Sequence, residues 1–243
     1  MAGVYFHRMK NTFTNSEPIV YHAPGRTRRL PLWGELVRSE FTSDIVDVPS
    51  FDVITWSTTE TETAVEKSIK SLDGDVTVLR KPMDNWLNID KVFLTLEFAR
   101  QSSADYIVGL DAFDVILTKH PSHIVDRFVN CFNCDLLFNA STRSWTCDVP
   151  SLRHAEFFEN GFDKKYKHLN AGCWVGKREY VIEFFENVAS LDRESLFDNK
   201  YRKSEQASVK FSAFPSSYPK VDIDSNCIIF QHLRGFNDLK KGV

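Results

Sequence analysis

From residue 51 onward the chain switches repeatedly between strand-like and helix-like patterning, and no other feature constrains the fold as much. FDVITW (51–56) is an apolar run of strand length. ETAVEKSIKSL (62–72) then spaces Val65, Ile69 and Leu72 at helical intervals before DGD ends it. DVTVL (75–79) reads as a second strand, KPMDNW (81–86) as a loop, and NIDKVFLTLEFARQS (88–102) as a helix with a broad apolar face. DYIVGL (105–110) is a third strand, and HPSHIVDRFVN (120–130) a helix with Pro121 in its first turn. CDLLFNA (134–140) is a fourth strand. Such alternation predicts an α/β fold: a mixed, mostly parallel sheet flanked by helices. Further on, KHLNAGCWVG reads as a strand, KREYVIEFFENVAS and KSEQASVKFSAF as helices, and CIIFQHL as a last strand. No linker or repeat interrupts residues 51–243, which are read as one domain.

Residues 1–50 are broken by Pro18, Pro24, Pro31 and Pro49 and read as an irregular N-terminal extension, with one short helix in LWGELVRSEF. Arg8, Lys10, Arg26, Arg28 and Arg29 make residues 1–34 locally basic, either as a solvated arm or as a contact for an anionic acceptor. Over the whole chain the net charge is -3, which excludes binding driven by bulk positive charge. No run is long and apolar enough for a membrane span, and the first residues lack a signal-like apolar core, so the expectation is a soluble, cytoplasmic protein. The five cysteines include one C-x-x-C, Cys131 and Cys134, expected to be structural thiols, with a metal or redox role as the alternative.

The chemistry concentrates in YIVGLDAFDVIL. Strand ends are where ligands sit in α/β sheets, and here a strand runs into Asp111 and Asp114. Two carboxylates so placed either cap a turn or hold a hard divalent cation, Mn2+ or Mg2+, that neutralises a diphosphate.

The DAFDVIL segment resembles the DxxD form of the metal motif in GT-A glycosyltransferases. More narrowly, it is similar to the glycosyltransferase domains of the procollagen lysyl hydroxylase and collagen galactosyltransferase type. TWSTTET (55–61), Lys91 in DKVFLTL, FNASTRSW (138–145), LNAGCWVG (169–176), SEQ (204–206) and IDSNCIIFQHL (223–233) resemble that family's motifs in the same order. The resemblance covers residues 51–236 and implies a GT-A fold and hexosyl transfer from a UDP-sugar. By the same resemblance, Asp111 and Asp114 hold the metal, and Thr58, Glu60 and Lys91 contact the nucleotide. Trp86 and Trp145 wall the donor, or simply lid the core. Asn170, Ala171 and Gly172 line the sugar pocket, and Glu205 and Gln206 face the transferred sugar or acceptor as catalytic groups.

The departures are specific. The family has two acids before its Gln, and this chain has Ser204 and Glu205. The family's late H-x-N segment, whose His is a third metal ligand, is missing. His232 is the substitute expected by position, with His7 and His22 as further candidates from the extension. The expected function is therefore a UDP-hexose-dependent transferase acting on an acceptor hydroxyl of a protein, a glycan or a modified nucleic acid. A catalytically inactive domain of the same fold is the first alternative. A nucleotidyltransferase is the second, disfavoured because no Gly-rich loop follows the first strand.

Overall fold

The computed structural model describes residues 9–39, 41–146, 149–233 and 239–241, with the backbone alone described for the last three and for Leu32. His7 and Arg8, named above, and the fifth cysteine, Cys147, lie outside the described residues.

The N-terminal segment contributes β1 (Met9–Asn11), β2 (Val20–His22) and α1 (Pro31–Val37). The alternating region then runs β3 (Phe51–Ser57), α2 (Ala64–Lys70), β4 (Thr77–Arg80), α3 (Asp90–Gln101), β5 (Tyr106–Asp111), β6 (Val115–Leu117), α4 (Ser122–Cys131) and β7 (Leu136–Ser141). After it come α5 (Arg153–Asn160), β8 (His168–Lys177), α6 (Arg178–Ser190), α7 (Arg193–Leu196), α8 (Glu205–Ala213), β9 (Val221–Ile223), β10 (Phe230–His232) and β11 (Leu239–Lys241).

Six strands form the main sheet in the order β4-β3-β5-β8-β7-β9. Pairings β3·β4, β3·β5 and β7·β9 are parallel, and β8 runs antiparallel to both β5 and β7. The expected mixed, mostly parallel sheet flanked by helices is what forms, with one reversed strand at its centre. β3 is almost continuously buried because both of its faces are covered, as in sheets sandwiched by helices. One core layer gathers Ile54, Ile107, Trp174 and Phe184 with α3 and α6, and the other gathers Val53, Val108, Ile124 and Phe128 with α2 and α4. Trp174 lies over Gly109, whose missing side chain makes room for the indole: a Cβ there would stand 2.3 Å from the ring. Trp174 is thus buried core.

Thr63 starts α2 through a capping box with Glu66, which satisfies two helix-end N–H groups reciprocally. The loop expected at KPMDNW contains a short 3-10 turn, Met83–Asn85. Of CIIFQHL only Phe230–His232 is strand. Cys131, Cys134 and Cys173 are free thiols, and burial, with Asp222 and Asp135 nearby, pushes the Cys134 thiol up to about 12.

The N-terminal segment is packed into the body of the fold. β2 is the middle strand of a second, three-stranded sheet, parallel to β10 and antiparallel to β6. Ile19, Val20 and Tyr21 are completely buried, and β1 pairs with β11. Residue 51 therefore does not separate two independently packed units, and the described part of the expected extension is integral to the domain.

Candidate functional site

Asp111 is the last residue of β5, and Asp114 lies in the turn before β6. Both are near the surface, their side chains 20% and 15% exposed. Between them and the interior stands His22, the last residue of β2, which is buried. Its Nε2 is 3.4 Å from Asp111 Oδ2 and 3.6 Å from Asp114 Oδ1, yet it makes no hydrogen bond of good geometry. One ligand atom from each of the three residues falls within 4.8 Å of the others, and among the described residues this is the sole group of three or more such side chains able to hold a metal. The fit to a divalent cation is chemical as well as geometric: two hard oxygens and an imidazole nitrogen converge, and the nitrogen is buried with nothing else to bind.

β2 is fastened to the acidic turn directly, since the Ala23 N–H donates to the Asp114 carbonyl at 2.7 Å. His232 is the register partner of His22 on the neighbouring strand, its ring edge-on at 5.5 Å between centroids. The three-residue group thus takes its imidazole from His22 and not from His232, one strand away from the expected position.

Lys91, in the first turn of α3, donates to Asp111 Oδ1 at 2.5 Å and to Glu205 Oε1 at 3.1 Å. Its ammonium also lies 5.5 Å from the centre of the Trp56 ring. Burial alone would neutralise this lysine, but the charges of Asp111 and Glu205 outweigh it and hold its pKa well above the usual value. Burial would likewise raise Asp111, and Lys91 with His22 overcomes it, leaving this carboxyl well below the usual range. Asp114 lacks the lysine contact, so burial and the charge of Asp111 leave it raised despite His22. His22 is raised too: burial opposes its charged form, and the two carboxylates prevail. The site thus sets an ammonium and an imidazole against its carboxylates.

The strand bulge in β8 completes the wall. Register with β7 slips between Phe138 and Asn139, and the extra residues on β8, Ala171 to Cys173, bow toward Asp111. A Cβ on Gly172 would lie 2.4 Å from Asp111 Oδ2 and 2.6 Å from His22 Cε1. Gln206 clamps this bulge: its carbonyl accepts from the Ala171 N–H at 2.8 Å and its amide donates to the Leu169 carbonyl at 2.7 Å. Its side chain holds backbone where a sugar contact had been expected. Glu205 precedes it in the first turn of α8, capped by Ser204.

The chain matches the family model of the PLOD GT domain, the glycosyltransferase domain of lysyl hydroxylases, over residues 90–241. It belongs to this family. The matched stretch takes in Lys91, Asp111, Asp114, Asn170 to Gly172, Glu205 and Gln206, while His22 precedes it. A curated relative, uncharacterized protein R699 of Acanthamoeba polyphaga mimivirus, is 27% identical over 146 residues, 59% of this chain. The chain spans 28% of that protein's length. A solved structure of glucosyl-3-phosphoglycerate synthase from Mycobacterium tuberculosis, in complex with Mn2+, UDP and phosphoglyceric acid, aligns with 80% of this chain and 77% of that one. The identity is 15% and the TM-score 0.43.

Within this glycosyltransferase domain the remaining expected residues are spread out. Thr58 is half-buried in the turn after β3, and Glu60 is 93% exposed beside Arg80, 3.7 Å away. The helix that follows is capped by Thr63 and Glu66, not by these two residues. Trp86 rests partly buried on the core, its indole N–H donating to Asn88 Oδ1 at 3.3 Å. Trp145 is 58% exposed and edge-on to Tyr201 at 5.3 Å. Asn170 accepts from the Gly172 N–H at 3.1 Å, bracing the bulge. Sequence reasoning passed over Asn139, a completely buried side chain whose Nδ2 lies 3.3 Å from His22 Nδ1. A polar residue inside the otherwise apolar run LLFNA was the available signal. No helix among the described residues is long and apolar enough to cross a membrane.

Proposed function

We propose that the domain transfers a hexose from a UDP-sugar to an acceptor hydroxyl, with a divalent cation, Mn2+ or Mg2+, at Asp111 and Asp114. One observation carries the reading: among the described residues the only cluster of oxygen and nitrogen ligands gathers at the carboxyl end of β5, with its two carboxylates inside the family-matched stretch. A cation there would act as a Lewis acid on the departing nucleoside diphosphate. Lys91 keeps Asp111 ionised and supplies a fixed positive charge beside it. The exposed arginines Arg26, Arg28 and Arg29, on the turn after β2, add positive charge at the rim, and that of Arg28 is felt at Asp114. Gln206 and Gly172 set the backbone against which the sugar would pack. Glu205, whose Oε1 accepts from Lys91, would take the acceptor's proton if the anomeric carbon inverts. The acceptor belongs to a protein, a glycan or a modified nucleic acid.

The test is UDP release from a panel of UDP-sugars with Mn2+, alongside the Asp114→Ala protein. Release from one sugar, absent in a variant that keeps its circular dichroism spectrum, supports the proposal. A wild-type protein that binds neither UDP nor Mn2+ by calorimetry defeats it.

A further inference from the structure

The cation site acquires its third ligand from outside the family-matched stretch. We propose that His22 Nε2, carried in by the N-terminal strand β2, is a direct ligand of the cation, and that Asn139 sets the imidazole tautomer this requires. The inference rests on the reading of Asp111 and Asp114 as a cation site.

Three observations converge on it. His22 Nε2 is buried, makes no hydrogen bond, and faces one oxygen of each carboxylate at 3.4 and 3.6 Å. Those separations suit atoms that share a cation, whose bonds to oxygen and nitrogen run about 2.0–2.6 Å. Second, Gly172 leaves room for Asp111 and His22 to approach from the same side, since a side chain there would collide with both. Third, the far nitrogen of the ring is met by a completely buried amide. Asn139 Nδ2 is 3.3 Å from His22 Nδ1, while its Oδ1 has no partner.

The tautomer follows from that contact. With Nδ2 donating, Nδ1 is the acceptor and Nε2 carries the proton, which points at the carboxylates and closes the site to a cation. Turning the amide over exchanges nitrogen and oxygen at nearly the same positions, a choice set by the hydrogen-bond network. Oδ1 then accepts from Nδ1–H, and Nε2 presents its lone pair between Asp111 and Asp114. Ligating histidines are oriented in this way by a partner on the other ring nitrogen, and removing such a partner costs about 10–100-fold in metal affinity. Asn139 is thus a positioning residue, acting through His22.

A nitrogen ligand also discriminates between cations. Mg2+ takes oxygen ligands and gives up its waters reluctantly, whereas Mn2+, a first-row transition metal, also accepts an imidazole nitrogen. His22 should therefore favour Mn2+ over Mg2+.

The experiment is Mn2+ binding by calorimetry together with pulsed electron paramagnetic resonance, which registers a nitrogen coordinated to manganese independently of turnover. The wild-type protein should show 14N coupling. His22→Gln, which keeps a polar side chain but supplies no ring nitrogen, should lose that coupling, bind Mn2+ about 10–100-fold more weakly, and change little toward Mg2+. Asn139→Leu should weaken Mn2+ binding similarly, and Asn139→Asp, which can still accept from Nδ1–H, should restore it. Circular dichroism identifies any variant that fails to fold, the wild-type spectrum decides whether a nitrogen is bound, and loss of the coupling in folded His22→Gln assigns it to His22. Mn2+ bound without 14N coupling, and with equal affinity in His22→Gln, overturns the proposal while leaving Asp111 and Asp114 as the site. Unchanged Asn139→Leu affinity removes Asn139 from it. Equal Mn2+ binding by wild type and Asp114→Ala instead overturns the underlying cation reading.

Discussion

Replacing Gly172 by Ala adds one methyl group, and the structure says where it lands. The new Cβ would stand 2.4 Å from Asp111 Oδ2 and 2.6 Å from His22 Cε1. Carbon contacts are comfortable at about 3.5 Å, so something must move by roughly 1 Å. Asp111 cannot swing freely, because Lys91 holds its other oxygen at 2.5 Å. The β8 backbone cannot simply retreat, because Gln206 grips it on either side of Asn170. Overpacking of this kind costs about 1–3 kcal/mol of stability. In a domain of this size that lowers Tm by roughly 2–4 °C per kcal/mol. Ligand positions in a metal site tolerate only about 0.2 Å, so cation affinity should fall as well, by about 100-fold. Thermal unfolding with and without Mn2+ separates the two effects. At a concentration of 100 times the wild-type Kd, wild type gains about 2.7 kcal/mol and a 100-fold weaker variant only about 0.4 kcal/mol. A variant destabilised without metal, yet stabilised by Mn2+ as much as wild type, would refute the idea that Gly172 is small to admit the ligands.

Two further perturbations probe the frame behind the site. Glu159 is completely buried, with Lys210 and His168 each 2.8 Å from its Oε2 and the Leu169 N–H donating to its Oε1 at 2.9 Å. Glu159→Ala strands the buried Lys210 ammonium and should cost about 3–5 kcal/mol in a denaturant titration; a loss under about 1 kcal/mol contradicts this. Asp224 is buried where it accepts from the backbone N–H groups of Ile228, Ile229 and Phe230. Burial raises it and those donors pull it back, leaving it at about 6. The folded protein then binds this proton more tightly than the unfolded chain, so wild-type stability falls as pH rises from about 4 through 6. Relative to the non-titrating Asp224→Asn, wild type should lose about 3 kcal/mol across that window, and a difference independent of pH rules the shift out.

The alternating region was legible because each of its elements carries its own period and both faces of β3 are covered. The strand end at Asp111 followed from the same pattern, and Lys91 and Glu205 do meet beside it. The N-terminal segment was opaque for a physical reason. β2 has three residues, too few to show a period, and its partners β6 and β10 lie about 95 and 210 residues further along the chain. Nothing local records such a pairing. The same blindness displaced the expected histidine by one strand: His232 and His22 are register neighbours, and only the parallel pairing of β10 with β2 reveals which faces the carboxylates. The bulge in β8 was equally hidden, since LNAGCWVG reads as plain strand until its partners are known.

A cation held partly by His22 should also hold β2 in place, and this can be seen without any substitution. β2 is fixed by backbone bonds at both ends: Val20 N–H to the Ile229 carbonyl at 2.9 Å and Ala23 N–H to the Asp114 carbonyl at 2.7 Å. Releasing the strand from the sheet breaks these bonds and removes His22 from Asp111 and Asp114. The cation then keeps its two carboxylates but loses its nitrogen, so its preference for the closed state equals the affinity that nitrogen contributes. A contribution of 10–100-fold corresponds to about 1.4–2.7 kcal/mol added to the opening free energy. Saturating Mn2+ should therefore slow hydrogen exchange at the Val20 and Ala23 amides by that same factor, where they exchange through local opening. Amides at the far end of the six-stranded sheet, such as that of Lys177 in β8, serve as the control. Equal exchange at Ala23 with and without bound Mn2+ would mean that the strand and the cation are independent, and that the N-terminal segment packs beside the site without completing it.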